Sequence, residues 1–264
     1  MHSQNIHYLC TVKLKQQEMG FSDQLIDPKK DPMGAAILDY ARTGKAARLR
    51  VLSSMFEEDE MPIDTLFRSF DEMPAIEQEA LLMAKGKILD VGAGSGCHAL
   101  ALQEMGKDVC AVEISPLSVE AMQLRGVKDA RLINMFDARF VDKFDTILML
   151  MNGSGIVGRL ENMPMFFDRM RQMLNPGGNI LMDSSDLKYL YENEDGSIDI
   201  DLNGEYYGLV DYEMRYKGVR GGKFDCLYVD FDTLACCAES CGFTATLIKE
   251  GNHYDYLCEL KPKE

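Results

Sequence analysis

The sequence predicts an α/β fold built on a mostly parallel sheet, and three observations predict it. From Lys87 onward short apolar runs alternate with helix-length segments, the pattern of parallel strands joined by crossover helices. The first run, Lys87-Ile-Leu-Asp-Val91, leads straight into glycines on alternate positions, Gly92, Gly94 and Gly96. The last two runs, Phe243–Ile248 and Tyr254–Leu260, are joined by a short turn at Gly251-Asn252 and so must pair antiparallel.

Taken in order, residues 1–30 read as a poorly specified, partly disordered arm. A helix is expected over Pro32–Thr43, with Asp31 as N-cap, Pro32 in the first turn and Gly44 as terminator. Glu57-Glu-Asp-Glu60 is an acidic break, and short helical patterns follow over Pro62–Phe67 and Pro74–Ala84. Residues 1–86 therefore form an arm and helical extension, whose methionines and phenylalanines pack on the core or roof a pocket. After the glycines the apolar stretch Ala99–Met105 suits a helix. The next strands are Asp108–Val112, ending at Glu113, then Ala130–Met135, Thr146–Met151 and Ile180–Met182. Helices are expected from Pro116 to Arg125, Pro164 to Leu174 and Asp232 to Cys241; Asn175-Pro-Gly-Gly178 reads as a turn.

Residues 187–229 break this rhythm as an antiparallel β insert within a domain spanning 87–264. Seven of the eleven tyrosines fall there, Tyr189, Tyr212 and Tyr228 among them, and alternation over Ser197–Leu202 and Tyr206–Tyr216 around Asn203-Gly204 reads as a hairpin. Arg215, Lys217, Arg220 and Lys223 form a basic cluster, read as a solvated hairpin face.

The balance of 28 basic against 43 acidic residues gives a formal charge of −15, which opposes bulk binding of nucleic acid. The longest apolar run, Ile147–Met151, is too short to cross a membrane, and residues 1–20 lack the apolar core of a secretory signal. A cytoplasmic location follows, with the eight cysteines reduced and Cys97, Cys110 and Cys258 serving as small hydrophobes. Cys237 and Cys241 share a helix face but have no second ligand pair, so no metal site is expected.

Strand, glycine turn and helix form a cradle in which backbone lies directly against a ligand. The glycines alone do not choose that ligand: the dinucleotide form ending in alanine fits Gly94, Gly96 and Ala99, which keeps a nicotinamide-dependent oxidoreductase open. Three acidic strand ends narrow the choice. Asp90, ahead of the glycines, opposes a pyrophosphate and suits a cationic ligand. Glu113 can accept from both hydroxyls of a ribose, and Phe136-Asp137 offers a flat apolar face and an acceptor to an adenine.

With these residues the sequence resembles the class I S-adenosylmethionine-dependent methyltransferases, over about Lys87–Asp186 and again from Asp232 onward. The carriers are Leu89-Asp-Val-Gly-Ala-Gly-Ser-Gly96, Glu113, Asp137, Phe144-Asp145 and Leu174-Asn-Pro-Gly-Gly178. The resemblance implies a seven-stranded Rossmann-like sheet with a reversed last strand and S-adenosylmethionine as cofactor. It implies a cofactor set of Asp90, Gly92, Ala93, Gly94, Gly96, Glu113, Ile114, Phe136, Asp137 and Met151. Methyl transfer needs positioning and exclusion of water more than a catalytic triad, and no catalytic residue is assigned. Asn152-Gly-Ser-Gly155 lacks the proline pair of enzymes that methylate nucleic-acid amino groups, so the acceptor is expected to be a small molecule. Asn152, Asp186 and Tyr189 are candidates to contact it. A non-catalytic cofactor-binding protein of the same fold is the alternative.

Overall fold

The computed structural model describes residues 24–201 and 203–264; the expectation for the first 23 residues lies outside them. The chain runs α1 (Pro32–Thr43), β1 (Leu49–Leu52), β2 (Asp59–Met61), α2 (Ala75–Met83), β3 (Lys87–Val91), α3 (Cys97–Glu104), β4 (Asp108–Glu113), α4 (Pro116–Arg125), β5 (Ala130–Leu132), β6 (Phe144–Met149) and α5 (Met163–Met173). It continues with β7 (Leu174–Ser185), β8 (Leu209–Tyr216), β9 (Val219–Arg220), β10 (Phe224–Leu227), α6 (Phe231–Ser240), β11 (Phe243–Glu250) and β12 (Asp255–Pro262).

Seven strands form the main sheet in the order β11-β12-β7-β6-β3-β4-β5. Five of them are parallel, and β12 lies antiparallel between β7 and β11. The strands alternate their side chains between two cores, as a sheet covered on both faces requires. Leu89, Ile147, Met149, Ile180 and Met182 face one cluster with Phe166, Phe167 and Met170 of α5. Ile88, Leu148, Leu181 and Leu257 face the other, with Leu81 of α2, Leu102 of α3 and Met122 of α4. Full burial of each such side chain contributes about 1.5–3 kcal/mol, which is what fixes strand register here.

Two expectations need correction. The extension before residue 87 is not purely helical: the stretch around the acidic break folds as the hairpin β1–β2, with Val51 opposite Asp59. Branched Val51 and Leu52 carry a strand there, but two such short strands give little periodicity to read. Of the hairpin read over Ser197–Leu202, the described residues form one isolated bridge, Glu192 to Ile198, and Leu202 lies outside them. The true partners of β8 are β10, β9 and, from the other end of the chain, β1, where Leu49 faces Tyr216 and Leu52 faces Glu213. A second sheet, β10-β8-β1-β2, therefore joins the N-terminal extension to the insert. Asn175-Pro-Gly-Gly178 sits within β7 as an irregularity, the register passing from Phe144↔Leu174 to Thr146↔Asn179.

Helix α1 ties this second sheet to the main one. Asp31 caps it by accepting from the Gly34 amide at 2.8 Å, and Asp31 also accepts from the Ser115 hydroxyl at 2.5 Å. Ser115 in turn caps α4, accepting from Ser118 at 2.9 Å. The two helix starts thus meet at one buried pair of caps. A Cβ on Gly34 would stand 2.2 Å from Asp31 Oδ2 and 2.3 Å from Ser115 Oγ. Gly34→Ala is expected to cost about 1–3 kcal/mol of stability by overpacking, read as a lowered denaturation midpoint. Gly44→Ala, where a Cβ meets nothing within 4 Å, provides the comparison for backbone strain alone.

Candidate functional site

The strand order reverses between β3 and β6, since β4 leaves β3 on one side and β6 on the other. Open α/β sheets bind ligands in the crevice outside the carboxyl ends of the strands at such a point. The glycine turn stands on one side of this crevice, and residues 151–158 stand on the other.

The amides of Gly92 and Ala93 both donate to the Val112 carbonyl, at 3.0 and 3.2 Å, which bends the turn back over β4. Gly94 and Gly96 have φ of +55° and +80°. At Gly96 a Cβ would also stand 2.8 Å from Val127 and 2.9 Å from Met122, so only glycine lets α3 pack there. At Gly94 the nearest atoms to a Cβ are 3.9 Å or more away, which leaves room against the backbone. Ile37 of α1 lies 4.0 Å from that position, and Ile156 lies 3.1 Å from the corresponding position on Gly92. An N-terminal helix and the segment after β6 therefore roof the turn. Ser95 anchors its outer edge: its hydroxyl donates to the Leu66 carbonyl, and Arg125 donates to its carbonyl at 2.7 Å.

Three carboxylates lie at or beyond the carboxyl ends of β3, β4 and β5. Asp90, at the end of β3, is 1% exposed, and its Oδ2 has no hydrogen-bond partner among the described residues. Burial pushes its pKa up, against the pull of His98 and the Ala99 amide. Glu113, ending β4, accepts from Gly94 at 3.0 Å through Oε2 and from Ile114 and Ser115 at 2.7 and 3.1 Å through Oε1. Burial raises its pKa too, with those three amides opposing. Ile114 is tied down by its own carbonyl, which accepts from Ile26 at 3.0 Å. Asp137 follows β5 and is held in a forked ion pair by Arg139, 2.6 Å at its closest, which lowers its pKa to about 2. Phe136 beside it packs against the main core cluster. Burial, with Asp90 and Glu77, pushes the Cys97 thiol up to about 11, so this cysteine is no nucleophile at neutral pH.

Across the crevice, Met151 and Asn152 are consecutive left-handed residues, with φ of +64° and +61°. The buried carboxylate of Asp183 holds this corner, accepting from Met151 at 2.9 Å and from Gly153 at 2.8 Å. Burial raises Asp183 to about 6. The Asn152 amide turns to β10, 3.4 Å from Cys226 Sγ and from the Leu227 carbonyl. Asp186 caps the turn after β7, accepting from the Lys188 amide at 2.8 Å and the Tyr207 hydroxyl at 2.8 Å. Tyr189 lies further out, stacked on Tyr254 at 4.6 Å. Asp90, the glycine turn, Glu113 and Ile114 thus gather at the carboxyl ends of β3 and β4, while Tyr189, but not Asp186, lines a separate cavity.

Sequence reasoning named Asp31 as the N-cap it is, but missed its bond to Ser115, Asp183 as the keeper of the corner, Ile37, and the network behind Asp90. In that network the buried carboxylate of Glu77, from α2, accepts from Arg68 at 2.9 Å and meets His98 Nε2 at 2.8 Å. Burial lowers the His98 pKa, but the Glu77 bond and the nearby carboxylates of Asp90 and Asp183 outweigh it, and the net shift is upward. His98 follows the glycines in the chain, which was the available signal; its partner is separated by the whole of β3.

A methyltransferase-domain family model matches residues 65–246. A solved S-adenosylmethionine-dependent methyltransferase from Bacteroides fragilis, crystallised with S-adenosyl-L-homocysteine, is 62% identical, with a TM-score of 0.87 over 92% of this chain and 99% of that one. The CcbJ methyltransferase from Streptomyces caelestis is 15% identical, TM-score 0.57, over 90% of this chain and 100% of that one. A DhpI–SAM–HEP complex is 16% identical with the same TM-score, over 92% of this chain and 100% of that one. These last two share the fold. A comparison with curated proteins gives no match.

Because the folded pKa of His98 is raised, its contribution to stability is complete below its unfolded pKa and is lost as pH rises through the folded value. Denaturant midpoints measured from about pH 6.5 upward should therefore fall for the wild type. Glu77→Gln, which removes the largest upward influence on His98, should be less stable throughout and show a shallower decline over the same window.

Proposed function

The chain belongs to the S-adenosylmethionine-dependent methyltransferases, and from that premise we propose that it methylates a small-molecule acceptor in the crevice between β3 and β6. The observation that carries the assignment of residues is the pair of carboxylates Asp90 and Glu113 at the ends of the adjacent strands β3 and β4, with Asp137 in the loop after β5. When bound, S-adenosylmethionine supplies a methyl group already activated by its sulfonium.

In this reading Asp90, Gly92, Ala93, Gly94 and Gly96 hold the amino-acid end. The unpartnered Asp90 oxygen, costly in isolation, is matched by a cationic group. Glu113, whose oxygens retain acceptor capacity beyond the three amides they serve, takes the ribose hydroxyls, with Ile114 beside it. Phe136 and Asp137 face the adenine, Arg139 yielding part of its grip on Asp137, and Met151 closes the far side. Ile37 and Ile156 exclude water over the glycine turn, which is the contribution methyl transfer most needs from a protein. Asn152 and Asp186 act as wall residues through Cys226, Leu227, Tyr207 and Lys188, and Tyr189 is the nearer candidate for acceptor contact.

The small-molecule reading is supported by the net charge of −15, which disfavours nucleic acid, and by the roofed crevice. Residues 87–264 are the methyl-transfer domain in this reading, with the earlier residues serving as its extension. A cytoplasmic location belongs to the same proposal; Cys97, Cys110 and Cys258 are free thiols, but Cys236 is disulfide-bonded, which corrects the expectation that all eight cysteines are reduced. Among the described residues no helix is long and apolar enough to cross a membrane.

Calorimetric titration with S-adenosylmethionine tests the assignment. Glu113→Ala should weaken binding by roughly 10- to 150-fold, the loss expected for hydrogen bonds to a charged group, and Asp137→Ala should weaken it in the same direction. Unchanged affinity in both folded variants would overturn the placement of the adenosine.

A further inference from the structure

Beyond the end of β7 lies a cavity of about 330 Å³, and its walls come from four distant parts of the chain. Phe56 comes from the tip of the β1–β2 hairpin, Ser185 and Tyr189 from the end of β7 and the turn after it, Tyr212 and Tyr228 from the insert, and His253 from the β11–β12 turn. None of its eight lining residues is a lysine, arginine, aspartate or glutamate. Four aromatic rings face one small volume.

Three of those rings are pinned. The hydroxyls of Tyr212 and Tyr228 are hydrogen-bonded at 3.0 Å, and Tyr189 stacks on Tyr254 with ring planes 14° apart. The inner wall is bonded to the corner at the end of β6. Tyr228 lies between Leu227, whose carbonyl accepts from Ser154 at 2.8 Å, and Val229, whose amide donates to Ser184 Oγ at 2.9 Å. Cys226 Sγ and the Leu227 carbonyl, just before Tyr228, each lie 3.4 Å from the Asn152 amide. The Tyr228 wall of the cavity is therefore tied, through its chain neighbours, to the Asn152 corner beside the crevice.

Resting on the methyl-transfer reading, we propose that this aromatic cavity is the acceptor site and that the acceptor is an organic amine, held as a cation among the rings of Phe56, Tyr189, Tyr212 and Tyr228. An anionic acceptor finds no lysine or arginine in the lining, only the imidazole of His253. A cation finds ring faces, each worth about 0.5–2 kcal/mol depending on desolvation. It also meets an acidic approach. Glu57–Glu60 follows Phe56 directly; Arg48 and Arg50 pair with Glu58 and Glu60, while Glu57 and Asp59 have no ion pair among the described residues. Asp59 acts on Tyr212 through space, and the whole chain carries −15. Such a field raises the local concentration of cations before any contact forms. The bound ammonium loses a proton to water; the freed nitrogen lone pair then makes the new C–N bond as the C–S bond breaks, its electron pair leaving on sulfur. The methylated product is again an ammonium.

The test uses the full chain saturated with S-adenosylhomocysteine and two probes of one shape, choline and its neutral counterpart 3,3-dimethylbutan-1-ol, titrated calorimetrically. Choline should bind about tenfold more tightly than the alcohol, and Phe56→Leu and Tyr189→Leu should each weaken choline by about two- to five-fold, the range for partly exposed rings. Both rings are at least 39% exposed, so these variants should fold and keep their affinity for S-adenosylhomocysteine. Equal or tighter binding of the alcohol, or leucine variants that leave choline affinity unchanged, would overturn the amine assignment while leaving methyl transfer in place. Failure of S-adenosylhomocysteine itself to bind would instead overturn the reading on which it rests.

Discussion

The carboxylate of Asp183 is the constraint on which the site depends. Met151 and Asn152 both occupy the left-handed region, a conformation that asparagine tolerates and methionine does not. Such residues cost on the order of 1–3 kcal/mol each and persist only where their surroundings over-determine them. Here the surroundings are one buried acid that accepts from the amides on either side of Asn152. These are charge-assisted bonds, roughly twice as strong as neutral ones, so they offset the strain only while Asp183 is ionised or nearly so. With its pKa raised to about 6, Asp183 sits close to the limit at which that condition holds.

The corner so fixed aims Asn152 and Ser154 at β10, and through β10 it fixes the second sheet. That sheet is completed by β1, more than a hundred residues earlier, and is clamped by α1. Tyr216, 1% exposed, donates to Asp39 of α1 at 2.8 Å and accepts from the Ala47 amide at 3.0 Å. The roof over the glycine turn and the wall of the aromatic cavity are therefore one mechanical unit. A movement of α1 that opens one must move the strand that carries Tyr212.

Legibility in the sequence follows the range of the interactions. The glycine turn, its acidic strand ends and the reversed last strand were readable because each is a local pattern: strand, turn and helix within a few residues of one another. Even so, the glycines alone left a nicotinamide cofactor open, and it was Asp90, Glu113 and Asp137 together that pointed away from it. The β1–β8 pairing was not readable, since Leu49 and Tyr216 carry no mark of each other and strand partners across such a separation are chosen by packing. Asp183 was passed over for a related reason. Within Asp183-Ser-Ser-Asp186 either aspartate could serve the site, and only the fold shows that Asp183 turns inward while Asp186 caps the next turn.

The buried charges explain why a cationic ligand suits this interior. Glu77, Asp90 and Asp183 lie behind and beside the crevice, each no more than 5% exposed, near the guanidinium of Arg68 and the imidazole of His98. Burial raises both Asp90 and Asp183, so the protein alone holds these acids at a cost in desolvation. A ligand bearing positive charge lowers that cost by an amount no neutral or anionic ligand of the same shape can match. One of these acids, Asp183, also sets the corner at Asn152, so burial of charge and backbone geometry are coupled there.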